Sequence, residues 1–319
     1  MRQSKGLRSW LAPSLRAFIA LKRAGGCDYG SQETMLSEFD RHVHEHVEAP
    51  LSSTALMDYL KSKDHLVPRS RDNVVAVLWQ ALAHAKRHGA PVMDLPPRPP
   101  KPGIHVCRRQ PRILTEAEFG VLLSAAARLT PTDSYRPITA TTILGLLWTT
   151  GLRIGEALAL DVGDIDLHDR LLVVRAGKFG KSRLLPLRDS TAAALDRYVH
   201  HPLRQERTGR SSPFFISMRG TQLCVVSFHG TYKKAWEMAA LPGPMPHIHD
   251  LRHAFAVRRV AHWYAAGWDV NAQLPALSTY LGHVSVENTR LYLVANGALL
   301  QAASARFARG TAALDGVGP

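Results

Sequence analysis

The sequence predicts a mainly α-helical chain of two domains, the second carrying a small β-sheet, and three observations predict it. A chain of 319 residues is long enough for two domains that each bury a core of their own. Residues 90–103, APVMDLPPRPPKPG, are dense in proline, which fixes φ, removes backbone donors and favours an extended, semi-rigid connector. Apolar residues recur at helical spacing on both sides of that seam, whereas β-prone segments flank only one glycine-rich stretch, AGKFGK. The expected organisation is a helical domain over residues 1–95, a proline-rich linker over 96–110 and a second domain over 111–319.

Before the seam, four helices are expected. Short ones cover 14–24 and 52–63, and a longer one starts near Ser31 with Leu36, Phe39 and Val43 on one face. The fourth has Val75, Leu78, Leu82 and Ala85 at three- and four-residue steps, with Ser70 as its expected cap and Gly89 as its stop. His42, His44 and His46 fall in the second helix, where residues two apart point away from each other while His42 and His46 share a face. No carboxylate or cysteine is spaced to complete a ligand set, so we read them as solvent- or DNA-facing histidines rather than as a metal site.

After the seam, Thr115 and Glu118 form a capping-box pattern ahead of an apolar run from Phe119. A helix is expected over 137–150, then a turn at TGLR and a short helix in IGEALAL leading to DVGDIDL. Leu171 to Arg175 and Ser182 to Leu187 read as a hairpin with a basic tip. From His249 onward the pattern is helical to the end. Trp263, Tyr264 and Trp268 lie within that pattern and read as core rather than as a base-stacking platform.

Charge narrows the partner. The formal net charge is +14, and the excess is spread over both halves: 18 Lys and Arg against 10 Asp and Glu in residues 1–112, and 22 against 16 beyond. Two basic domains on a stiff tether suit a clamp around a duplex, although a generally solvated surface gives the same count. No apolar run approaches the length that crosses a bilayer, and the N-terminal stretch is broken by Pro13 and Arg16, which does not make a signal-peptide core. The expected location is the cytoplasm. Cys27, Cys107 and Cys224 are far apart and unpaired by spacing, so neither a disulfide framework nor a zinc knuckle is indicated.

The chemistry emerges from the charged residues of the second domain. Cleaving a phosphodiester without metal requires cations beside the nonbridging oxygens, an aligned nucleophile and a proton donor for the leaving oxygen. Arg153 sits at a turn into a helix, from which a guanidinium fork can grip a phosphate; pairing with Glu156 is the plainer alternative. His249 and Arg252 in HDLRH share a helical face. Gly282 permits a tight turn before His283, and Tyr292 follows nine residues later, either as a nucleophile carried into the same pocket or as a buried structural tyrosine.

TGLRIGEAL, a hairpin with Lys178 in GKFGKSRLLPL, HDLRH, YLGH and then Tyr292, in this order, resemble the catalytic domain of the tyrosine recombinase (phage integrase) family over roughly residues 110–310. The N-terminal helical segment is similar to the family's core-binding, DNA-binding domain in size and position. The resemblance implies that Arg153 and Arg252 clamp the scissile phosphate, Lys178 protonates the departing 5′ oxygen, His283 hydrogen-bonds the phosphate, and His249 accepts or orients the proton of the nucleophile Tyr292. Lys181 is a second candidate for the lysine role. Glu156 matches the family's acidic position and orients its cationic neighbours. The implied reaction is site-specific strand cleavage through a 3′-phosphotyrosyl bond, with strand exchange via a Holliday junction, no cofactor and no metal.

Double-stranded DNA is the implied partner, with four subunits on two duplexes. Leu299, Leu300, Ala303 and Phe307 form one helical stripe in the tail, which docks on a neighbouring subunit in trans or packs back in cis. The long stretch His262 to Leu277 is similar to that of recombinases encoded by mobile elements, which places integration or transposition ahead of resolution. Two rival readings stand beside this one. The same chemistry serves type IB topoisomerases, and an architectural DNA-binding protein could keep the fold without catalysis, although every expected catalytic side chain is present.

Overall fold

A computed structural model describes residues 6–100, 110–132, 134–175, 182–208 and 213–283. The chain divides into two units, Met1–Gln110 and Pro111–Pro319. Residues 101–109, the greater part of the expected linker, lie outside the described residues.

The first unit is four helices: α1 (Ala12–Ala24), α2 (Gly30–His46), α3 (Ser53–Lys61) and α4 (Pro68–Arg87). Their apolar stripes meet in one core built from Leu15, Phe18, Leu36, Phe39, Val43, Leu56, Leu78 and Leu82. Only α3 has a side-chain cap of the expected kind, Ser52 accepting from the Ala55 N–H. The expected cap Ser70 is instead inside α4, which begins two residues earlier because Pro68, with φ already fixed and no N–H to satisfy, starts the helix without one. A buried carboxylate fixes the entry to α1: Asp40 of α2 accepts from the N–H groups of Arg8 and Ser9 and from the Ser9 hydroxyl. His42 packs its ring 5.0 Å from that of Tyr59, while His44 and His46 are exposed. No cluster of three potential metal ligands occurs among the described residues.

The second unit runs α5 (Glu116–Ala126), α6 (Arg136–Thr150), α7 (Ile154–Leu158), β1 (Ile165–Asp166), β2 (Leu171–Val174), β3 (Arg183–Pro186), α8 (Asp189–Val199), α9 (Pro202–Thr208), α10 (Val225–Ala239), α11 (Asp250–Ala265) and α12 (Val270–Leu281). Thr115 and Glu118 close a complete capping box on α5. The sheet is antiparallel in the order β1-β2-β3, with Leu171 opposite Pro186 and Val174 opposite Arg183. The DVGDIDL segment thus contributes a third strand that its short length and acidic residues concealed.

Helix α6 is the hub, with Ile143, Leu144 and Leu147 buried against Leu122 of α5, Leu195 of α8 and Leu251 of α11. Helices α11 and α12 share a second cluster around Phe255, Val260, Leu274 and Leu281. Trp263 belongs to that cluster and Tyr264 packs on it, but Trp268 is 51% exposed. It follows the left-handed Gly267 at the end of α11, where the chain has left the helical stripe on which the core reading relied. No described helix is long and apolar enough to cross a membrane.

Candidate active site

Three segments of the second unit converge: the turn from α6 into α7, the start of α11, and the end of α12. Gly151 ends α6 in the left-handed region, φ 65°, and the turn delivers Arg153 to the N-terminus of α7. Left-handed φ suits glycine there, and the space is closed as well, since an added Cβ would lie 2.6 Å from the Phe255 ring of α11. Glu156, one turn into α7, accepts the Arg153 backbone N–H at 3.0 Å and its guanidinium at 2.7 Å.

Helix α12 ends on Gly282, φ 67°, with the His283 N–H returning to the Ser278 carbonyl. A helix end leaves carbonyls without intrahelical partners and carries partial negative charge. Here three arginines take them in succession. Arg183 Nε donates to Tyr280 O at 2.9 Å, Arg252 donates to Leu281 O at 2.5 Å, and Arg153 donates to Gly282 O at 3.4 Å. Arg252 also donates to Gly151 O at 2.8 Å, so one guanidinium, 1% exposed, joins the α6 turn to the α12 end. Arg183 donates with both terminal nitrogens to Glu156, at 3.2 and 2.8 Å.

The electrostatics follow from this crowding of cations. Glu156 is held at about 2: burial opposes ionisation, but the hydrogen bonds and charge of Arg183 and Arg153 outweigh it. His283 is pushed down to about 4, first by burial and then by Arg252 and Arg153. His249, which immediately precedes α11, is lowered for the same reasons in the same order. Both imidazoles are therefore neutral near pH 7, able to accept a proton at one ring nitrogen and donate from the other. His249 and His253 meet edge to face with ring centres 5.1 Å apart. The buried Asp250 accepts from the His247 and Arg112 N–H groups, which fixes how the chain enters α11.

The structure thus places Arg153, Glu156, His249, Arg252 and His283 in one neighbourhood. Lys178 and Lys181, in the segment joining β2 to β3, and Tyr292 lie outside the described residues. Arg183 was not anticipated. It is the first residue of β3, beside the basic hairpin tip, and its signal, a strand cation with an acid on another element to hold, becomes visible only once Glu156 is located. The arrangement offers two guanidiniums and two neutral imidazoles around a helix end, a set that can bind a phosphodiester and move a proton beside it.

Comparison with known proteins places this arrangement. The model of the phage integrase family matches residues 112–298. A Sinorhizobium fredii integrase/recombinase is 33% identical over 309 residues, covering 93% of this chain and 96% of the relative. The tyrosine recombinase XerD of Mycobacterium tuberculosis is 36% identical over 198 residues, 61% of this chain and 59% of that protein. Among solved structures, the Tn1549 transposon integrase in complex with a circular intermediate DNA superposes with TM-score 0.65 at 16% identity, covering 95% of this chain and all of that one. A lambda integrase dimer bound to a core site gives 0.61 at 19% identity, covering 89% and 95%. At such identities these likenesses establish the shared two-domain fold.

Proposed function

The chain belongs to the phage integrase family and is a tyrosine recombinase that cleaves and rejoins DNA, and on that premise we propose how its residues divide the work. The observation that carries the proposal is the convergence of Arg153 and Arg252 on consecutive carbonyls, with His249 and His283 alongside. The two guanidiniums clamp the nonbridging oxygens of the scissile phosphate, and neutral His283 donates a hydrogen bond to it. The Tyr292 phenol gives its proton to His249 and attacks phosphorus. A tyrosyl O–P bond forms, the P–O5′ bond breaks, and Lys178 protonates the departing oxygen. The 3′-phosphotyrosyl bond conserves the energy of the one it replaced, so the 5′ hydroxyl of a second duplex can reverse the step without ATP.

The first unit, in this reading, is the core-binding domain that contacts DNA, consistent with its own excess of basic residues. Strands are exchanged through a Holliday junction by four subunits on two duplexes, in the cytoplasm. The tail stripe of Leu299, Leu300 and Phe307, outside the described residues, packs on a neighbouring subunit. The long stretch from His262 to Leu277 supports a mobile-element role, integration or transposition, over chromosome resolution.

The test uses nicked duplexes drawn from DNA flanking the chain's own gene, incubated with the full chain and a chelator and separated on a denaturing gel. A covalent protein–DNA band that disappears in Tyr292→Phe is the expected result. Tight binding without such a band, on a duplex shown to contain the site, sinks the catalytic assignment. Relaxation of a supercoiled plasmid lacking that site, at a rate equal to that of a plasmid carrying it, would shift the reading toward a topoisomerase.

A further inference from the structure

Beyond the catalytic group, helix α11 lines a second polar cleft of about 210 Å³ whose walls hold Arg188, Arg258, Arg259 and His262. Arg258 and Arg259 lie six and seven residues after Arg252, so the cleft sits two helical turns, about 10 Å, along the same helix. Two of its cations are held in place. Arg258 lies over Trp148, 3.6 Å from the ring centre, and donates to the Trp148 and Ala254 carbonyls; Arg259 lies over Phe255. One acid lines the cleft, Glu116, and it reaches Arg258 only at 3.7 Å from an 83% exposed position. Arg188, exposed just ahead of α8, is not paired with it in any described ion pair. Burial, and then the proximity of Arg188 and Arg259, bring Arg258 down to about 10, against the pull of Glu116. Mutual repulsion among guanidiniums in a half-closed space is relieved by an anion seated between them.

The cleft also adjoins the catalytic group. The Tyr280 ring stacks on Phe255, its phenol senses Arg259, Arg183 and Arg188, and its carbonyl holds Arg183. We propose that Arg188, Arg258, Arg259 and His262 form a second phosphate site, which takes a backbone phosphate of the bound duplex flanking the one that is cut. DNA is the source favoured here because Arg259, seven residues after Arg252, lies on the same face of α11 about 10 Å along its axis, and each strand offers a phosphate every ~3.4 Å of axis. The proposal rests on the DNA-cleaving reading above.

The test measures binding of the full chain to a labelled duplex of arbitrary sequence by fluorescence anisotropy across a salt series, for wild type, Arg188→Gln/Arg259→Gln, and Arg188→Lys/Arg259→Lys. Arg258 is left intact because it also holds the Trp148 carbonyl. Losing one phosphate contact lowers the slope of log K against log salt by about 0.9. The glutamine pair is expected to lose about that much, the lysine pair to keep most of the slope, and a control pair of exposed arginines elsewhere, Arg128→Gln/Arg219→Gln, to lose clearly less. An unchanged slope in the glutamine pair, or an equal loss in the control, overturns the proposal. So does thermal protection by inorganic phosphate that vanishes in the glutamine pair while its duplex slope stays at the wild-type value, because the site then serves a small free anion. Loss of self-association alone would assign the cleft to an acidic segment of a second copy and overturn it as well. A wild-type chain that fails to bind any duplex fails the DNA reading itself, a result separate from all of these.

Discussion

Arg153 and Arg252, 99 residues apart in sequence, donate to the adjacent carbonyls of Gly282 and Leu281. The distance between the two guanidiniums is therefore set by the backbone of one helix end rather than by two independent side-chain conformations. Preorganisation of this kind matters most where charge builds up during reaction, because no donor then has to be moved into place.

Arg183 is the residue on which that preorganisation should depend most without touching DNA. It grips both oxygens of Glu156 and the Tyr280 carbonyl, and so ties β3 to α7 and α12. Arg183→Met is expected to slow single-turnover cleavage on the order of 100-fold, the scale associated with misplacing a reacting group by about 1 Å. Duplex affinity should change little. Arg183→Lys should recover only a small part, because an ammonium cannot span two carboxylate oxygens and a carbonyl as the planar fork does. Equal losses in rate and affinity, or full rescue by lysine, would remove the positioning role.

Acid should unfold the second unit in two separable windows. Glu156 has its folded value depressed to about 2, so the stability it contributes is complete above the ordinary carboxylate value and is lost as pH falls through about 2. His283 is depressed to about 4, so the folded unit binds fewer protons than the unfolded one between about 4 and 6.5; stability is complete above that window and declines within it as pH falls. Urea midpoints measured from pH 7 to pH 2 should flatten over the upper window in His283→Asn and over the lower one in Glu156→Gln.

The pH dependence of cleavage offers a kinetic check on the same charges. With His249 and His283 both lowered by burial and by the two arginines, the acid limb of kcat/KM should fall below pH 6.5. Arg153→Met removes one source of that depression, and its residual activity should show the limb displaced upward. A limb that stays put would mean that burial and Arg252 set the values without Arg153.

Gly151→Ala meets two penalties at one position. The residue has φ 65°, and its new methyl would lie 2.6 Å from the Phe255 ring and 3.1 Å from Leu281. A loss of about 2–3 kcal/mol is expected from overpacking and backbone strain together, read as a lower urea midpoint of the second unit. Combining it with Phe255→Leu should recover part of the loss, which a purely backbone effect would not allow.

Much of this was legible in the sequence for identifiable reasons. The core stripes of α2 and α4 were readable because Leu36, Phe39 and Val43, and Val75, Leu78 and Leu82, repeat at helical spacing with few interruptions. Thr115 and Glu118 declared α5 because their bonding is local. Arg153, His249, Arg252 and His283 were legible as motifs, yet nothing local states that carbonyls 281 and 282 would hold two of them. Residues 188–245 were not assigned, because they carry no motif that declares a site, although α8 and α10 are amphipathic and bury Leu195, Tyr198, Phe228 and Tyr232 in the core shared with α5 and α6. Ser70 and Trp268 were misread because one proline and one glycine, each a residue or two away, moved the helix boundary.

The long connection between HDLRH and YLGH acquires a simple meaning once the helix end is recognised as the anchor. Helix α12 is gripped by its last carbonyls, while the Val270 end is held chiefly by an apolar cluster and by Asp269 over its first N–H groups. Residues can accordingly be added or removed around 265–268, ahead of the Asp269 cap, without changing the register of Tyr280, Leu281 and Gly282. The outer surface of this domain can thus change while the catalytic group keeps the same three points of suspension.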